Sequence, residues 1–113
     1  MPGRLSHPRS ARVLKGTEFK AVFDQRRVLA NDLFRIHYAE SDAPRLGMAV
    51  SRRVSPKAVS RNRIRRQIRE SFRLIRPRLV AMDFVILAKP AAASTDSFQL
   101  RQSLNQLWQR FIG

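Results

Sequence analysis

Arginine is concentrated in one stretch of this sequence, and the chemistry it offers is phosphate binding. Eight arginines lie within residues 61–78, against one acidic residue, Glu70. The guanidinium group is planar and carries five N–H donors, so it can hold a phosphate through two parallel hydrogen bonds. A solvated helix face is the simpler explanation of a charge run, but such faces usually mix both signs. The imbalance therefore favours contact with a nucleic acid.

The residue types that usually perform catalysis are sparse. The chain has two histidines, no cysteine and eight acidic residues that are scattered singly. A zinc site needs clustered His or Cys ligands, and a metal-dependent nuclease needs clustered carboxylates to hold its ions. We therefore expect no catalytic residue, no metal ligand and no disulfide in this chain.

The overall composition also indicates a polyanionic partner. Among 113 residues, 23 Lys and Arg face 8 Asp and Glu, which gives a formal net charge of +15, and 19 of the basic residues are Arg. This excess favours a nucleic acid over lipid headgroups. A membrane span needs roughly 20 apolar residues, whereas the longest apolar run here is the short segment 84–88. Because no signal-like segment is evident either, we expect a cytoplasmic protein with no membrane partner.

The arginine-rich stretch is predicted to form one long helix at about 57–75. Pro56 suits the first turn, Ser55 or Ser60 could cap it, and Pro77 would end it. One narrow face of this helix carries the apolar residues Ile64, Ile68, Phe72 and Ile75. The core needs that face, which is too narrow for a helix lying on a membrane surface. Arginines occupy most of the remaining surface.

Two further helices and a basic arm are predicted. A short helix at about 17–27 has Thr17 as its candidate N-cap and carries Phe19, Val22, Phe23 and Arg26 at helical spacing. A final helix follows Ser94 or Thr95 as its cap. Its apolar stripe consists of Leu100, Leu104, Leu107, Trp108 and Phe111. Residues 1–15 carry three arginines without periodicity, which predicts a flexible basic arm before one domain at 16–113.

Alternating apolar residues predict two half-buried strands, at 34–38 and 46–50. The turn at 41–44 suggests that these two strands form an antiparallel hairpin. The continuous apolar run at 84–88 predicts a buried strand. The second face of the 46–50 strand carries small residues, among them Gly47 and Ala49. Such a face either forms a floor open to a ligand or makes room for a packed helix, and the sequence leaves both readings open.

Four ordered blocks of this sequence resemble the ribonuclease P protein family. The most specific block is Arg61-Asn62-Arg63-Ile64-Arg65-Arg66-Gln67-Ile68-Arg69, which contains the Arg-Asn-Arg hallmark of the family. It is preceded by Glu18-Phe19-Lys20-Ala21-Val22-Phe23 and by Leu46-Gly47-Met48-Ala49-Val50-Ser51-Arg52-Arg53-Val54. The fourth block is Asp83-Phe84-Val85-Ile86-Leu87-Ala88-Lys89-Pro90, so the resemblance covers roughly residues 12–110.

The resemblance implies an α+β fold, a single-domain α/β sandwich of about four strands and three helices. The motif helix would form a left-handed βαβ crossover, as in one domain of a small-subunit ribosomal protein. It also implies a protein subunit of ribonuclease P, one copy per catalytic RNA, that helps remove the 5′ leader of precursor tRNA. The RNA and its Mg²⁺ ions would perform the chemistry, and the protein alone would hold no cofactor.

Two groups of site residues follow from matching this chain to the family's motifs. The expected RNA contacts are Arg52, Arg53, Arg61, Asn62, Arg63, Arg65, Arg66, Arg69 and Arg73. The expected leader cleft, between the first helix and the open sheet face, is lined by Phe19, Phe23, Arg35, His37, Ala49 and Ser51. Aromatic side chains are common platforms for unstacked bases, although packing of helix on sheet would explain Phe19 or Phe23 equally well. His37 stands where the family often has an aromatic residue.

Two other classes of function compete with this interpretation. A ribosomal or general RNA-binding protein would share the charge and the fold without supporting a reaction, and single-strand binding in the cleft would distinguish the two. A DNA-binding basic helix would need a dimerising zipper or a helix-turn-helix pair, and neither pattern is present.

Overall fold

The computed structural model describes residues 16–113, so the predicted basic arm at 1–15 lies outside the described residues. Three α-helices and four strands follow one another in the order helix, three strands, helix, strand, helix. The helices are α1 (Gly16–Asp24), α2 (Ala58–Ile75) and α3 (Ser97–Trp108). The strands are β1 (Val28–Ala30), β2 (Phe34–Glu40), β3 (Arg45–Ala49) and β4 (Met82–Ala88). Short 3-10 turns lie at Arg76–Arg78, Pro90–Ser94 and Gln109–Phe111.

The four strands form one mixed sheet in the order β1-β2-β4-β3. β2 pairs antiparallel with both β1 and β4, and β3 pairs parallel with β4. The predicted hairpin of β2 with β3 is therefore wrong, because β4 lies between them. The continuous apolar run of β4 explains why this strand is central. Phe84, Val85 and Ile86 are fully buried, which requires a strand covered on both faces. A turn signal such as 41–44 shows that the chain reverses but does not say which strand becomes the neighbour.

α2 connects the parallel strands β3 and β4, as the family resemblance implies. The arginine-rich helix is thus the crossover of a βαβ unit, and its position is fixed by the two strands at its ends. The left hand of this crossover stays a prediction.

The main core fills one face of the sheet, between the strands and the helices α2 and α3. Trp108 lies at its centre, packed edge-on against Phe84 with ring centroids 5.2 Å apart. Its indole Nε1 donates a hydrogen bond to the buried hydroxyl of Ser71 at 3.0 Å, so the one polar atom of the ring is satisfied. The apolar faces predicted for α2 and α3 are confirmed, since Ile64, Ile68 and the whole α3 stripe are buried.

The ends and caps of the helices differ in part from the predictions. α1 begins at Gly16, so Thr17 is a helical residue and not the N-cap. The helix ends at Asp24, so Arg26 is not helical; its φ of 57° places it in the left-handed region. Neither Ser55 nor Ser60 caps α2, whose N-cap position is Lys57. The side chain of Asp96 caps α3 by accepting a hydrogen bond from the Gln99 amide at 2.8 Å.

The expected caps of α2 and α3 are used elsewhere. The hydroxyl of Ser55 accepts the Lys57 amide in the turn before α2. Those of Ser94 and Thr95 donate to the carbonyl of Ala91, closing the 3-10 turn that precedes α3. Ser and Thr hydroxyls bond local backbone in several patterns, so their presence near a helix start did not identify the capping residue.

Candidate nucleic-acid interface

The surface of α2 divides into an outward crest and two flanks. The crest carries exposed polar and basic side chains, namely Asn62, Arg66, Arg69 and Arg73. Ile64, Ile68 and Phe72 hold the opposite side of the helix in the core. The hydrophobic contacts therefore fix the rotation of α2 about its axis, and this rotation directs the crest into solvent. We call these four residues the arginine crest.

One end of the crest carries an ion pair. Arg73 donates to the Glu70 carboxylate at 2.8 Å, and both side chains are substantially exposed. The hydrogen bond from Arg73 lowers the pKa of Glu70 and raises that of Arg73. Arg73 is thus partly neutralised at this point, whereas Arg66 and Arg69 form no ion pair with an acid of residues 16–113.

The flank of α2 next to β3 is formed by Arg61 and Arg65. The guanidinium of Arg65 donates to the side-chain oxygen of Asn62 at 3.0 Å and, at 3.4 Å, to the carbonyl of Val50, where β3 has just ended. Arg61 donates to the carbonyl of Ser55 at 3.0 Å. Both guanidiniums keep further N–H donors, because each has five. Arg65 therefore links the crest to the end of β3.

The third residue of the Arg-Asn-Arg motif faces the other flank. Arg63 donates to the carbonyl of Thr95 at 2.9 Å and, more weakly, to the carbonyl of Ala93 and the hydroxyl of Ser97, both at 3.4 Å. These acceptors belong to the segment that leads into α3. Arg63 thus binds α2 to α3, a structural task that the sequence did not reveal. Its role as an RNA contact stays a prediction.

The turn between β3 and α2 adds basic side chains beside the crest. Ser51, Arg52 and Arg53 are all exposed there, and the amide of Val54 closes the turn on the carbonyl of Ser51 at 3.0 Å. Val54 itself is buried, so it holds the turn against the core while the two arginines remain in solvent. Arg52 and Arg53 therefore extend the basic surface from the start of α2, and their role as RNA contacts stays a prediction.

The second face of the sheet carries the residues of the predicted cleft. In one row across the sheet, Arg35, Leu87 and Ala49 are neighbours on β2, β4 and β3; in the next row the neighbours are His37, Val85 and Gly47. α1 packs on this face, where its Val22 is buried with Ala39 and Val85. A helix thus covers part of the small-residue face, while Ala49 is half-buried and Ser51 is exposed. Of the two alternatives left open by the sequence, a packed helix describes the part of this face under α1. The part near Ala49 and Ser51 remains accessible.

Three rings meet between α1 and β2. The centroids of Phe23 and His37 lie 4.7 Å apart in an edge-to-face contact, and those of Phe19 and Phe23 lie 6.3 Å apart. Both phenylalanines are half-buried and pack around the small cluster of α1 with the sheet. Packing is therefore one role of these rings, and their partial exposure leaves room for a second. We call Phe19, Phe23, His37, Arg35, Ala49 and Ser51 the aromatic cleft.

His37 is the titratable group of the aromatic cleft. Its Nδ1 atom is buried and has no hydrogen-bond partner among the described residues. Burial, with a smaller contribution from the nearby charge of Arg35, lowers the pKa of His37 below its ordinary value of 6.5. At neutral pH the imidazole is therefore mainly uncharged, and its ring packs edge-to-face against Phe23.

Arg45 fastens α1 to the sheet, a role that was not predicted from the sequence. Its guanidinium forms two hydrogen bonds with Asp83 of β4, at 2.7 and 2.9 Å, and one with Glu18 of α1 at 3.1 Å. The hydrogen bond to Asp83 raises the pKa of Arg45 further. Asp83 is nearly buried, which a single acid directly before the apolar run at 84–88 could have indicated. Because Phe19 follows Glu18, this ion pair also positions the aromatic cleft.

Within residues 16–113 the acidic side chains do not form a metal site. No group of three His, Asp or Glu residues there could hold a metal ion. Several of the carboxylates are already bound to cations of the protein, as in the pairs of Asp83 and Glu18 with Arg45 and of Asp24 with Lys20. In the same part of the chain, every helix is too short or too polar to cross a membrane.

Comparisons with known proteins agree with this geometry. The family model described as ribonuclease P matches residues 7–112. A ribonuclease P protein component of Xanthomonas oryzae pv. oryzae is 43% identical over 104 residues, which cover 91% of this chain and 72% of that protein.

Solved structures of two RNase P proteins share the fold. The Staphylococcus aureus protein has a TM-score of 0.82 at 28% identity, covering 88% of this chain and 93% of the other. The Thermotoga maritima protein has a TM-score of 0.78 at 26% identity, covering 89% and 98%. Sequence and fold agree over nearly the same residues, and the chain belongs to the ribonuclease P protein family.

Proposed function

We propose that this chain is the protein subunit of ribonuclease P and supports removal of the 5′ leader from precursor tRNA. Its partners are the catalytic RNA, one per protein, and the precursor tRNA. The observation that carries this proposal is the presence, on one small domain, of an exposed arginine crest and a half-buried aromatic cleft, joined through Arg65 at the end of β3. With these partners, the protein is proposed to act in the cytoplasm.

The crest suits folded RNA. Its arginines present forked donors along about two turns of the helix, at a spacing fixed by the buried face of α2. Neutralising phosphates releases counterions, which supplies most of the affinity and makes binding depend on salt. Like charges on one helix face would repel each other without a polyanion, so the bound RNA also relieves a cost within the protein.

The aromatic cleft suits a single strand. Bases that are not paired can stack on half-exposed rings such as Phe19 and Phe23, and Arg35 lies on the same face of the sheet to meet a phosphate. A 5′ leader is such a strand, whereas mature tRNA lacks it. The cleft would therefore make the complex prefer the precursor over the product.

The chemistry is proposed to belong to the RNA, which with the substrate would hold the Mg²⁺ ions. The described residues support this division because their carboxylates do not cluster into a site for metal ions. The protein then contributes affinity and position and no reacting group. In enzymatic terms it is a non-catalytic component of an endoribonuclease.

The test is cleavage of a precursor tRNA by a bacterial ribonuclease P RNA at low Mg²⁺, with and without the protein. We expect strong protein-dependent cleavage at the mature 5′ end and no cleavage by the protein alone. A Phe19→Ala, Phe23→Ala variant should lose much of the preference for precursor over mature tRNA, whereas Arg110→Ala, an exposed arginine outside both surfaces, should retain it. Tight RNA binding without any stimulation would instead support a purely structural RNA-binding protein, and cleavage in the absence of RNA would refute the proposal.

A further inference from the structure

Phe98 is exposed in a way that the other phenylalanines of this chain are not. Its relative exposure is 66%, whereas Phe34, Phe72, Phe84 and Phe111 are buried in the core. It lies in the first turn of α3, but the apolar stripe of that helix begins at Leu100 and points to the sheet. The fold therefore does not use this ring for packing.

The exposed ring lies beside the arginine surface. α3 runs alongside α2, and two hydrogen bonds join them: Arg63 to Ser97, and Arg101 to the side-chain oxygen of Gln67 at 3.0 Å. Phe98 directly follows Ser97, and Arg101 is one helical turn further on. Residues three apart on a helix are surface neighbours, so Phe98 and Arg101 share one side of α3.

The surroundings of Phe98 are polar and carry no negative charge within α3. The helix contains no acidic residue and has Arg101 as its one basic residue; Gln99 follows Phe98, and Gln102 lies one turn further on. The nearest acid in sequence, the N-cap Asp96, already accepts the Gln99 amide. A site for a partner protein would normally show a contiguous apolar patch around such a residue. A single ring among amides and arginine instead matches the recognition of unpaired bases, which combines stacking with polar contacts to base edges and phosphates.

We propose that Phe98 is an additional RNA contact, a platform on which an unpaired base of the RNA subunit stacks, and that the first turn of α3 extends the interface beyond α2. This inference rests on the proposed function for the identity of the RNA. The ligand of the ring itself is a base that is not in a duplex, held close to the protein by the neighbouring arginine crest.

The experiment measures affinity for the ribonuclease P RNA across a range of salt concentrations for Phe98→Ala, Phe98→Leu and Phe98→Trp. Loss of one base stack should weaken binding about tenfold in Phe98→Ala. The slope of log affinity against log salt should not change, because every phosphate-binding side chain is still present. Leucine should not restore affinity, whereas tryptophan should. Leu74→Ala, a similarly exposed apolar residue at 60%, is the matched control and should bind normally.

The Phe98→Trp variant also gives a direct readout. The natural Trp108 is fully buried and supplies a constant background, so RNA that stacks on the new indole should quench its fluorescence. A fully paired RNA duplex, which offers no free base, should not. Unchanged affinity in Phe98→Ala, rescue by leucine, or an equal loss in Leu74→Ala would each overturn the proposal. Cleavage by the wild-type protein tests the proposed subunit function, whereas the affinities of the Phe98 variants test this site. The two proposals can therefore fail independently.

Discussion

The arginine crest and the aromatic cleft lie on the same domain but depend on the fold to different degrees. The crest side chains are exposed and contribute little to packing, since Ile64, Ile68 and Phe72 on the opposite face hold α2 in place. The rings of the cleft, Phe19, Phe23 and His37, are half-buried and belong to the packing of α1 on the sheet. Crest residues can therefore be changed one at a time to alter binding alone. Changes in the cleft alter binding and stability together.

A similar difference separates an arginine of the crest from the arginine that anchors α1 to the sheet. Arg66 of the crest extends into solvent, whereas Arg45 below α1 makes three hydrogen bonds to carboxylates. In sequence Arg63 belongs to the Arg-Asn-Arg motif. In the structure it resembles Arg45, because its guanidinium is bonded within the protein and holds the segment before α3. High arginine content alone thus does not distinguish a binding residue from a structural one; the acceptors of each guanidinium do.

The largest effect is expected from Ile68→Asp, which should abolish both regions at once. Ile68 is fully buried, and a carboxylate there would be unpaired in the core, at a cost of several kcal/mol that a domain of this size cannot absorb. Circular dichroism should show loss of the cooperative thermal transition. Arg69→Ala, one position further on and exposed, is the control and should keep it. A folded Ile68→Asp protein would show that the crest does not depend on the buried face of α2.

The second effect should separate the two regions. Arg45→Met removes the cation that Asp83 and Glu18 share and leaves the nearly buried Asp83 carboxylate unpaired. We expect a loss of about 2–3 kcal/mol in the free energy of unfolding, less than for a fully buried pair because Arg45 is partly exposed. The preference for precursor over mature tRNA should fall as well, since α1 loses its anchor.

The double variant Arg45→Met, Asp83→Asn tests the cause of that loss. Removing the unpaired charge should restore part of the stability, as measured by urea unfolding, but not the link from the sheet to Glu18. Equal stability of the single and double variants would show that the unpaired carboxylate is not the reason for the loss.

How well the sequence predicted each region follows from the range of the interactions involved. The crest was predictable because its signal is local: apolar residues at helical spacing identify the buried face of α2, and the arginines fall on the rest. The cleft depends on which strands are neighbours. The sequence placed β2 beside β3 and did not locate β1, so it could not show that His37, Val85 and Gly47 form one row. The structural contacts of Arg45 and Arg63 were missed for the same reason, because their acceptors lie 38 and 32 residues away along the chain.

The third prediction compares Arg66 of the crest with Arg63 of the Arg-Asn-Arg motif, which should differ in their effect on the salt dependence of RNA binding. Arg66→Ala should reduce the slope of log affinity against log salt by about 0.7–0.9 for each phosphate that the variant no longer neutralises, with the melting temperature nearly unchanged. Arg63→Met should lower the free energy of unfolding by about 1–2 kcal/mol, because the carbonyls of Thr95 and Ala93 lose a donor. If Arg63 is mainly structural, its slope should stay close to that of the wild type. A reversed pattern would assign Arg63 to the RNA and Arg66 to the fold.

The smallest effect is expected from the titration of His37 in the aromatic cleft. Burial lowers its pKa in the folded state below the ordinary 6.5, so the unfolded chain binds this proton more readily than the folded one. The stability that the neutral ring contributes is therefore fully present above pH 6.5 and is lost as the pH falls through the folded-state pKa. The positive charge of Arg35 on the same strand opposes a second charge on His37. In His37→Phe, which keeps a ring against Phe23, thermal melts between pH 7.5 and 5 should lose this part of the acid sensitivity. Identical pH profiles for the two proteins would mean that His37 is as accessible to protons in the folded cleft as in the unfolded chain, and the cleft would then be more open than its packing on α1 indicates.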